Sequence, residues 1–148
     1  AVTMFIAEIL YKSLQHQETN QDLFRFIESY LLQTDQAEFS PDSHLWFVAR
    51  LTQFLGIAPN TDGYAEGKVL ELQEGDFVAD LKRKGDSTPE VALAIYQLLG
   101  TKFAAIADLK LTVNLRRSVL ETLVNYYEIQ LEGINSINSH RVLKELLE

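Results

Sequence analysis

The sequence contains no cysteine, and this absence excludes several kinds of chemistry at once. Disulfide bonds, thiolate-ligated zinc sites and cysteine nucleophiles all require that residue. The chain must therefore be held together by its apolar core, for which 47% of its residues are hydrophobic. Lack of cysteine is typical of a cytoplasmic protein, and we predict that location.

Basic residues and long apolar runs are also scarce. Thirteen lysines and arginines stand against 21 aspartates and glutamates, which gives a formal net charge of −8. Because nucleic-acid affinity rests largely on basic side chains, such a chain repels DNA on average, and any DNA contact would need a local basic patch. No stretch approaches the roughly 18 apolar residues of a membrane-spanning helix, and no signal peptide is present at the start. The absence of an initiator methionine suggests a fragment or a processed protein.

The most apolar helical pattern lies at residues 41–55, and we expect this helix to be the centre of the fold. Ser40 and Pro41 are typical of a helix start, and Gly56 is typical of a helix end. Because apolar residues cover most of its circumference, the helix must be surrounded by other elements. Those residues are Leu45, Trp46, Phe47, Val48, Leu51, Phe54 and Leu55.

The remaining periodicity predicts a mainly α fold, a helical bundle of about six helices around the central one. Neighbouring Tyr126 and Tyr127 cannot both face one core, so we expect one to be buried and the other to lie at the helix boundary. The other predicted helices lie at about 2–17, 21–34, 88–99 and 113–131 and after Ser139, with a helical turn at 102–108.

A small β-hairpin insert is predicted near residues 69–79. The β-prone stretches Val69–Leu72 and Phe77–Ala79 flank the turn residues Glu74-Gly75-Asp76. Two strands alone are only marginally stable, so Leu70, Leu72 and Phe77 are expected to anchor the hairpin to the helices. The carboxylates near its tip, Glu71, Glu74 and Asp76, are expected to be solvated.

No motif for catalysis or cofactor binding is present. His16, His44 and His140 lie in different predicted elements, and none has a second histidine at helical spacing. The residues alone therefore indicate a helical binding module that is not an enzyme and has no metal or cofactor. A metal-independent hydrolase is a further alternative, and it would need a deep polar pocket that unites His44 or His140 with carboxylates.

Several segments resemble those of RecO, a family of recombination mediators. Residues 55–60, Leu-Gly-Ile-Ala-Pro-Asn, resemble the turn that leads from a helix of that family into a zinc-finger-like insert. Residues 5–11 and 22–27 resemble the first two helices after its N-terminal OB domain. Residues 126–131 and 138–145 resemble its closing helices. The order and spacing of these segments, over essentially the whole chain, carry the resemblance.

The resemblance implies that residues 1–148 are a RecO-like C-terminal helical domain, of the zinc-less, Bacteroidetes-like form, with the insert at about 58–86. In the family this insert often holds zinc through four cysteines. Gly63 and Gly67 lie where the first cysteine pair would be expected, so the resemblance implies a fold kept without its metal. It also implies an N-terminal OB domain that is absent from this chain.

The function implied by the resemblance is that of a non-catalytic part of a DNA repair recombination mediator. The whole protein would act in single-strand annealing and recombinase loading. Its partners would be the acidic C-terminal tail of single-stranded-DNA-binding protein, a RecR-like protein, and single-stranded DNA, bound mainly through the missing OB domain. The alternative is a helical protein–protein adaptor domain unrelated to DNA repair.

Two groups of basic residues are candidates for peptide or DNA contact. A basic rim beside an apolar groove suits an acidic peptide tail that ends in an aromatic residue and its carboxylate. The chain departs from related proteins at Leu45 and Trp46, where those can carry arginine, and at Asn138-Ser139, where they have Lys-Ser. The first group comprises Arg116, Arg117, His140, Arg141 and Lys144, and the second is the loop of Lys82, Arg83 and Lys84.

Overall fold

The structure, a computed structural model, describes residues 21–36, 41–81 and 83–131, together with Ala7, Glu8 and Leu10. Within these residues the chain is mainly helical with one small antiparallel hairpin, which confirms the predicted fold class. The elements are α1 (Gln21–Gln36), α2 (Pro41–Phe54), β1 (Val69–Glu71), β2 (Asp76–Val78), α3 (Pro89–Gly100) and α4 (Val113–Gln130), with 3-10 helices at Thr61–Gly63 and Phe103–Leu109.

The structure describes part of the first predicted helix and none of the last one. Ala7, Glu8 and Leu10 are helical, as the helix predicted at 2–17 requires, and Leu10 packs against the core. The rest of that helix and the predicted final helix lie outside the described residues.

Helix α2 lies at the centre of the described fold, as its apolar pattern predicts. It packs against α1, α3, α4 and the Phe103–Leu109 turn. The side chains of Phe47, Ala49 and Leu51 are completely buried, and Trp46 is 6% exposed. A helix surrounded in this way fixes the positions of the other helices.

Aromatic rings fill the contact between α1 and α2. Phe26 stacks on Phe54 with ring centroids 4.4 Å apart and on Phe47 at 5.2 Å. Tyr30, one turn further along α1, lies 4.1 Å from Phe47. Such ring pairs add about 0.5–1.5 kcal/mol each beyond the area that they bury.

The starts of α3 and α4 follow from their capping residues. The hydroxyl of Thr88 accepts a hydrogen bond from the amide of Val91 at 3.3 Å, and Pro89 occupies the first turn of α3. Thr112 caps α4 in the same way through the amide of Leu115 at 3.2 Å. Each side-chain cap satisfies an amide that the helix itself leaves without a partner.

The hairpin pairs Leu70 with Phe77 and Glu71 with Asp76, and α3 packs against β1. All three residues of β1 are buried, including Glu71, which is only 3% exposed. The expectation that Glu71 is solvated is therefore wrong. Its carboxylate turns inward because it accepts two backbone amides of the hairpin turn.

Both Tyr126 and Tyr127 are buried, which corrects the expectation that only one of them is. They point to different parts of the molecule. The hydroxyl of Tyr127 donates to the carbonyl of Val48 in α2 at 2.6 Å, whereas the hydroxyl of Tyr126 donates to the carbonyl of Ile57 after α2. Adjacent residues can both be buried here because α4 is covered by α2 on one side and by the hairpin region on another.

Across the described residues, no helix is both long enough and apolar enough to cross a membrane.

Candidate docking surface

Arg116, the first candidate on α4, is engaged inside the fold. Its Nε donates to Oδ1 of Asp42 at 2.6 Å, and Asp42 is only 6% exposed. Asp42 lies in the first turn of α2, where the helix dipole favours a carboxylate. Arg116 lies in the first turn of α4, where the dipole disfavours a cation, so the ion pair offsets that cost. This pair joins the N-terminal ends of two helices.

Arg117 follows in the same turn and is partly buried. Its Nε is enclosed by protein. His140, Arg141, Lys144 and Lys82 lie outside the described residues. Whether Arg116 and Arg117 also contact a peptide stays a prediction.

The described part of the second basic group, Arg83 and Lys84, borders a groove of about 440 Å³. The side chain of Arg83 is 58% exposed, although its Nη1 lies 3.5 Å from Oε1 of Glu71. On the opposite side of the groove is α4. Its lining is Leu72, Gln73, Arg83, Lys84, Gly85, Asp86, Asn125, Glu128 and Ile129.

The groove combines basic, apolar and acidic groups. Ile129 is 42% exposed and supplies an apolar wall, while Lys84 is an exposed cation at the edge. Asp86 and Glu128 also line the groove, so its charge is mixed. An acidic ligand would therefore be favoured only on the side of the groove that carries Arg83 and Lys84.

The two basic groups do not form one patch in the described chain. The groove contacts α4 at Asn125, Glu128 and Ile129, near its C-terminal end, whereas Arg116 lies near its N-terminal end. Twelve residues separate Arg116 from Glu128, which corresponds to about 18 Å along a helix.

Arg50, which is not among the residues predicted from the sequence, is a structural cation. Its Nη1 donates to the carbonyl of Leu99 at 2.6 Å, at the C-terminal end of α3, and its guanidinium lies 5.7 Å from the Trp46 ring centroid. The indole of Trp46 donates to the carbonyl of Thr101 at 2.6 Å. These donors satisfy carbonyls at the end of α3 that have no hydrogen-bond partner within the helix. The helix dipole also favours a cation at this end. The spacing of Trp46 and Arg50, four residues apart on one helix face, is the signal that could have shown this.

A second groove, of about 370 Å³, lies beside this cap and is lined in part by Gln53, Tyr96 and Gln97. Tyr96 stacks on Tyr64 at 4.1 Å, which ties α3 to the segment before the hairpin. Of the predicted site residues that the structure describes, none lines this groove.

His44 is engaged inside the fold and lies outside both grooves. It is partly buried, and its Nδ1 is hydrogen bonded to the hydroxyl of Tyr30. Burial lowers the pKa of His44 from 6.5 to about 4, so the ring stays neutral and weakly basic at neutral pH. His44 lines neither groove, and within the described residues no group of three His, Cys, Asp or Glu side chains could hold a metal ion. Nothing in this part of the chain supports the hydrolase alternative.

Together, the fold and its surface define a class: a mainly helical domain with a small β-hairpin and a groove edged by Arg83 and Lys84. The chain belongs to the RecO family, because the family model described as "Recombination protein O C terminal" matches residues 1–137. The resemblance inferred from the sequence is thereby confirmed.

Relatives from three bacteria, each named DNA repair protein RecO, agree with this assignment. The chain is 28% identical to that of Bacteroides fragilis, with 100% of the chain and 62% of the relative covered. It is 30% identical to that of Phocaeicola vulgatus, with 99% of the chain and 61% of the relative covered. The values for Christiangramia forsetii are also 30%, 99% and 61%. The chain thus spans less than two thirds of the length of these relatives, and no solved structure matches it significantly.

Proposed function

We propose that this chain is the non-catalytic docking region of a DNA repair recombination mediator. The single observation that carries the proposal is membership of the RecO family over residues 1–137, together with relatives named DNA repair protein RecO. In this proposal the whole protein, in the cytoplasm, anneals complementary single strands and assists recombinase loading. An OB domain that precedes these residues supplies most of its affinity for single-stranded DNA.

The proposed ligand of the chain itself is the acidic C-terminal tail of single-stranded-DNA-binding protein, with a RecR-like protein as the second partner. We propose that this tail binds in the groove edged by Arg83 and Lys84. It offers exposed cations for the carboxylates and the exposed side chain of Ile129 for an apolar group. Arg116 is a weaker candidate because its guanidinium is already paired with Asp42.

Fluorescence anisotropy with a labelled acidic tail peptide tests the tail site. Lys84→Glu reverses one exposed charge at the groove and is expected to weaken binding about tenfold, with a weaker effect at high salt. Arg25→Glu is the matched control because Arg25 is exposed on α1, does not line the groove, and undergoes the same charge change. We expect that control to bind within about twofold of the unchanged chain.

Three outcomes decide between the alternatives. Equal losses for Lys84→Glu and Arg25→Glu would show only a general charge effect and would remove the groove as the tail site. Binding that survives Lys84→Glu would move the site elsewhere on the chain. No binding of the peptide by the unchanged chain, and no co-elution with a RecR-like protein, would favour the unrelated adaptor.

A further inference from the structure

Zinc-binding residues are lacking in the insert that the family resemblance associates with zinc. The sequence has no cysteine, and Gly63 and Gly67 stand where the first pair was expected. Neither glycine is required by a crowded neighbour: a Cβ on Gly67 would meet nothing within 4 Å, and one on Gly63 would lie 3.9 Å from the Phe77 carbonyl oxygen. Within the described residues no cluster of metal-binding side chains replaces the cysteines. The residues present therefore do not fit a zinc ion.

Glu71 closes the hairpin turn through both oxygens of its carboxylate. Oε1 accepts the amide of Gln73 at 2.9 Å, and Oε2 accepts the amide of Glu74 at 2.8 Å. The guanidinium of Arg83 lies 3.5 Å from Oε1, which brings the following loop to the same carboxylate. Since Glu71 is 3% exposed, water cannot readily replace it as the acceptor.

Asp86 uses its two oxygens in the same manner, at the base of that loop. Oδ1 accepts the amide of Leu72 at 3.2 Å, and Oδ2 accepts the amide of Arg83 at 2.9 Å. One carboxylate thus connects the end of β1 to the start of the loop. A carboxylate can accept at both oxygens, whereas an amide side chain has only one acceptor oxygen and presents donors at its other end.

Ser87 completes the attachment of this loop to the open edge of β1. Its hydroxyl accepts the amide of Leu70 at 2.7 Å, and its own amide donates to the carbonyl of Leu70 at 3.1 Å. The backbone N–H and C=O of Leu70 point away from β2, and both are hydrogen bonded to Ser87. Ser87 therefore pairs with β1 as a third strand would. Two strands alone are marginal, and this extra edge pairing adds the support they need.

We infer that Glu71, Asp86 and Ser87 form a metal-free clamp, which closes the insert by hydrogen bonds alone. The clamp joins three backbone segments: β1, the hairpin turn at 73–74, and the loop at 83–87. The clamp also holds the loop at 83–87 in place, across the groove from α4. The clamp does not depend on what the neighbouring groove binds.

Amide substitutions in the full chain test the clamp. Glu71→Gln and Asp86→Asn keep the size of the side chain but remove one of its two acceptors. Each is expected to lower the thermal unfolding midpoint by about 4 °C or more. Glu74→Gln and Asp80→Asn are matched controls, because both residues are exposed in the same insert and undergo the same change. Those controls are expected to stay within about 1 °C of the unchanged chain.

Hydrogen exchange separates a local clamp from a general loss of stability. In Glu71→Gln the amides of Gln73 and Glu74 are expected to exchange at least about tenfold faster, while the amide of Val91 in α3 changes less. Elemental analysis is expected to find no stoichiometric zinc, and excess chelator is expected to leave the midpoint unchanged. If Glu71→Gln does not accumulate as folded protein, the midpoint and hydrogen exchange of Asp86→Asn test the clamp instead, because Asp86 is more exposed than Glu71.

Two results would overturn the inference. One is a midpoint that Glu71→Gln and Asp86→Asn lower no more than their controls do. The other is stoichiometric zinc, or a midpoint that falls with chelator. None of these measurements involves a binding partner, so a failure of the tail-docking proposal would leave the clamp standing.

Discussion

Gly75 is the residue at which α4, the hairpin and the turn after α2 meet. Its φ is +73°, a region that favours glycine, and its amide donates to the carbonyl of Glu71 at 3.0 Å. An added Cβ would lie 2.7 Å from the hydroxyl oxygen of Tyr126 and 3.8 Å from the Cα of Pro59. The Tyr126 hydroxyl cannot easily move away, because it is hydrogen bonded to the carbonyl of Ile57.

Gly75→Ala should therefore lower the free energy of unfolding by more than the strain of a positive φ alone would. Gly67→Ala is the matched control, since Gly67 has a φ of +85° and empty space around the position of a Cβ. We expect Gly67→Ala to cost about 1 kcal/mol in the free energy of unfolding, and Gly75→Ala about 1–3 kcal/mol more. Urea denaturation measures both values.

A second substitution checks the physical cause. Tyr126→Phe removes the oxygen that Cβ would meet, so in the Gly75→Ala background it should cost less than it does in the unchanged chain. Equal losses for Gly67→Ala and Gly75→Ala would show that backbone strain, and not the contact with Tyr126, explains the need for glycine at position 75.

The burial of Glu71 could not be predicted from the sequence, although the hairpin around it could. Two short β-prone segments and the Glu-Gly-Asp turn between them identify a hairpin locally. Whether a carboxylate at its end faces solvent depends on which amides lie within reach. Those amides belong to a turn whose backbone conformation is set by Gly75 and by the segments packed against it. Because charged side chains are mostly exposed, the sequence favoured a solvated hairpin tip.

At the scale of elements, the ion pair of Arg116 and Asp42 joins α4 to α2. Both residues lie in first helical turns, and 74 positions separate them in the sequence. Removal of Arg116 would leave a nearly buried carboxylate without its cation. Breaking such a pair is much more costly than deleting an exposed charge.

A double-mutant cycle measures this connection. We expect Arg116→Ala and Asp42→Ala each to lower the free energy of unfolding by about 2–4 kcal/mol. The double variant should lose less than the sum of the two, by about 1–3 kcal/mol. Arg25→Ala, an exposed arginine on α1, is the control and should stay within about 0.5 kcal/mol of the unchanged chain.

Additive losses in that cycle would mean that the two side chains act independently. The same pair also limits how Arg116 can be tested as a peptide contact. Arg116→Glu would place a second carboxylate beside Asp42, so lost binding in that variant could reflect unfolding. Lys84 is the better position for a change of charge because it is exposed.

Helices could be predicted more fully than the contacts between them. The start of α3 at Pro89 and its end at Gly100 follow from Thr88, Pro89 and the apolar period, all of them local signals. The pairing of Arg116 with Asp42, and the cap that Arg50 forms on α3, depend on how separate helices pack. Sequence patterns show which face of a helix is buried but not which cation meets which carbonyl.

At the scale of the whole molecule, the apolar segment at 41–55 predicted the architecture because a helix with apolar residues on most sides has to be surrounded. The function could be inferred only as far as the resemblance to RecO reached. The candidate site was the least predictable part: the basic residues divide between the two ends of α4, and four of the eight lie outside the described residues.

The negative net charge of the chain predicts weak binding to DNA. With a formal charge of −8, this chain alone should not bind a labelled oligothymidine measurably at physiological salt, with a Kd weaker than about 10⁻⁴ M by fluorescence anisotropy. The reason is that repulsion from the 21 carboxylates opposes any contact made by the few exposed cations near Arg83 and Lys84. A preparation that also contains the proposed OB domain should bind far more tightly. If the chain alone bound DNA in the micromolar range, with affinity that fell steeply with salt, a basic patch on this domain would have to carry the interaction. The assignment of DNA affinity to an OB domain would then be wrong.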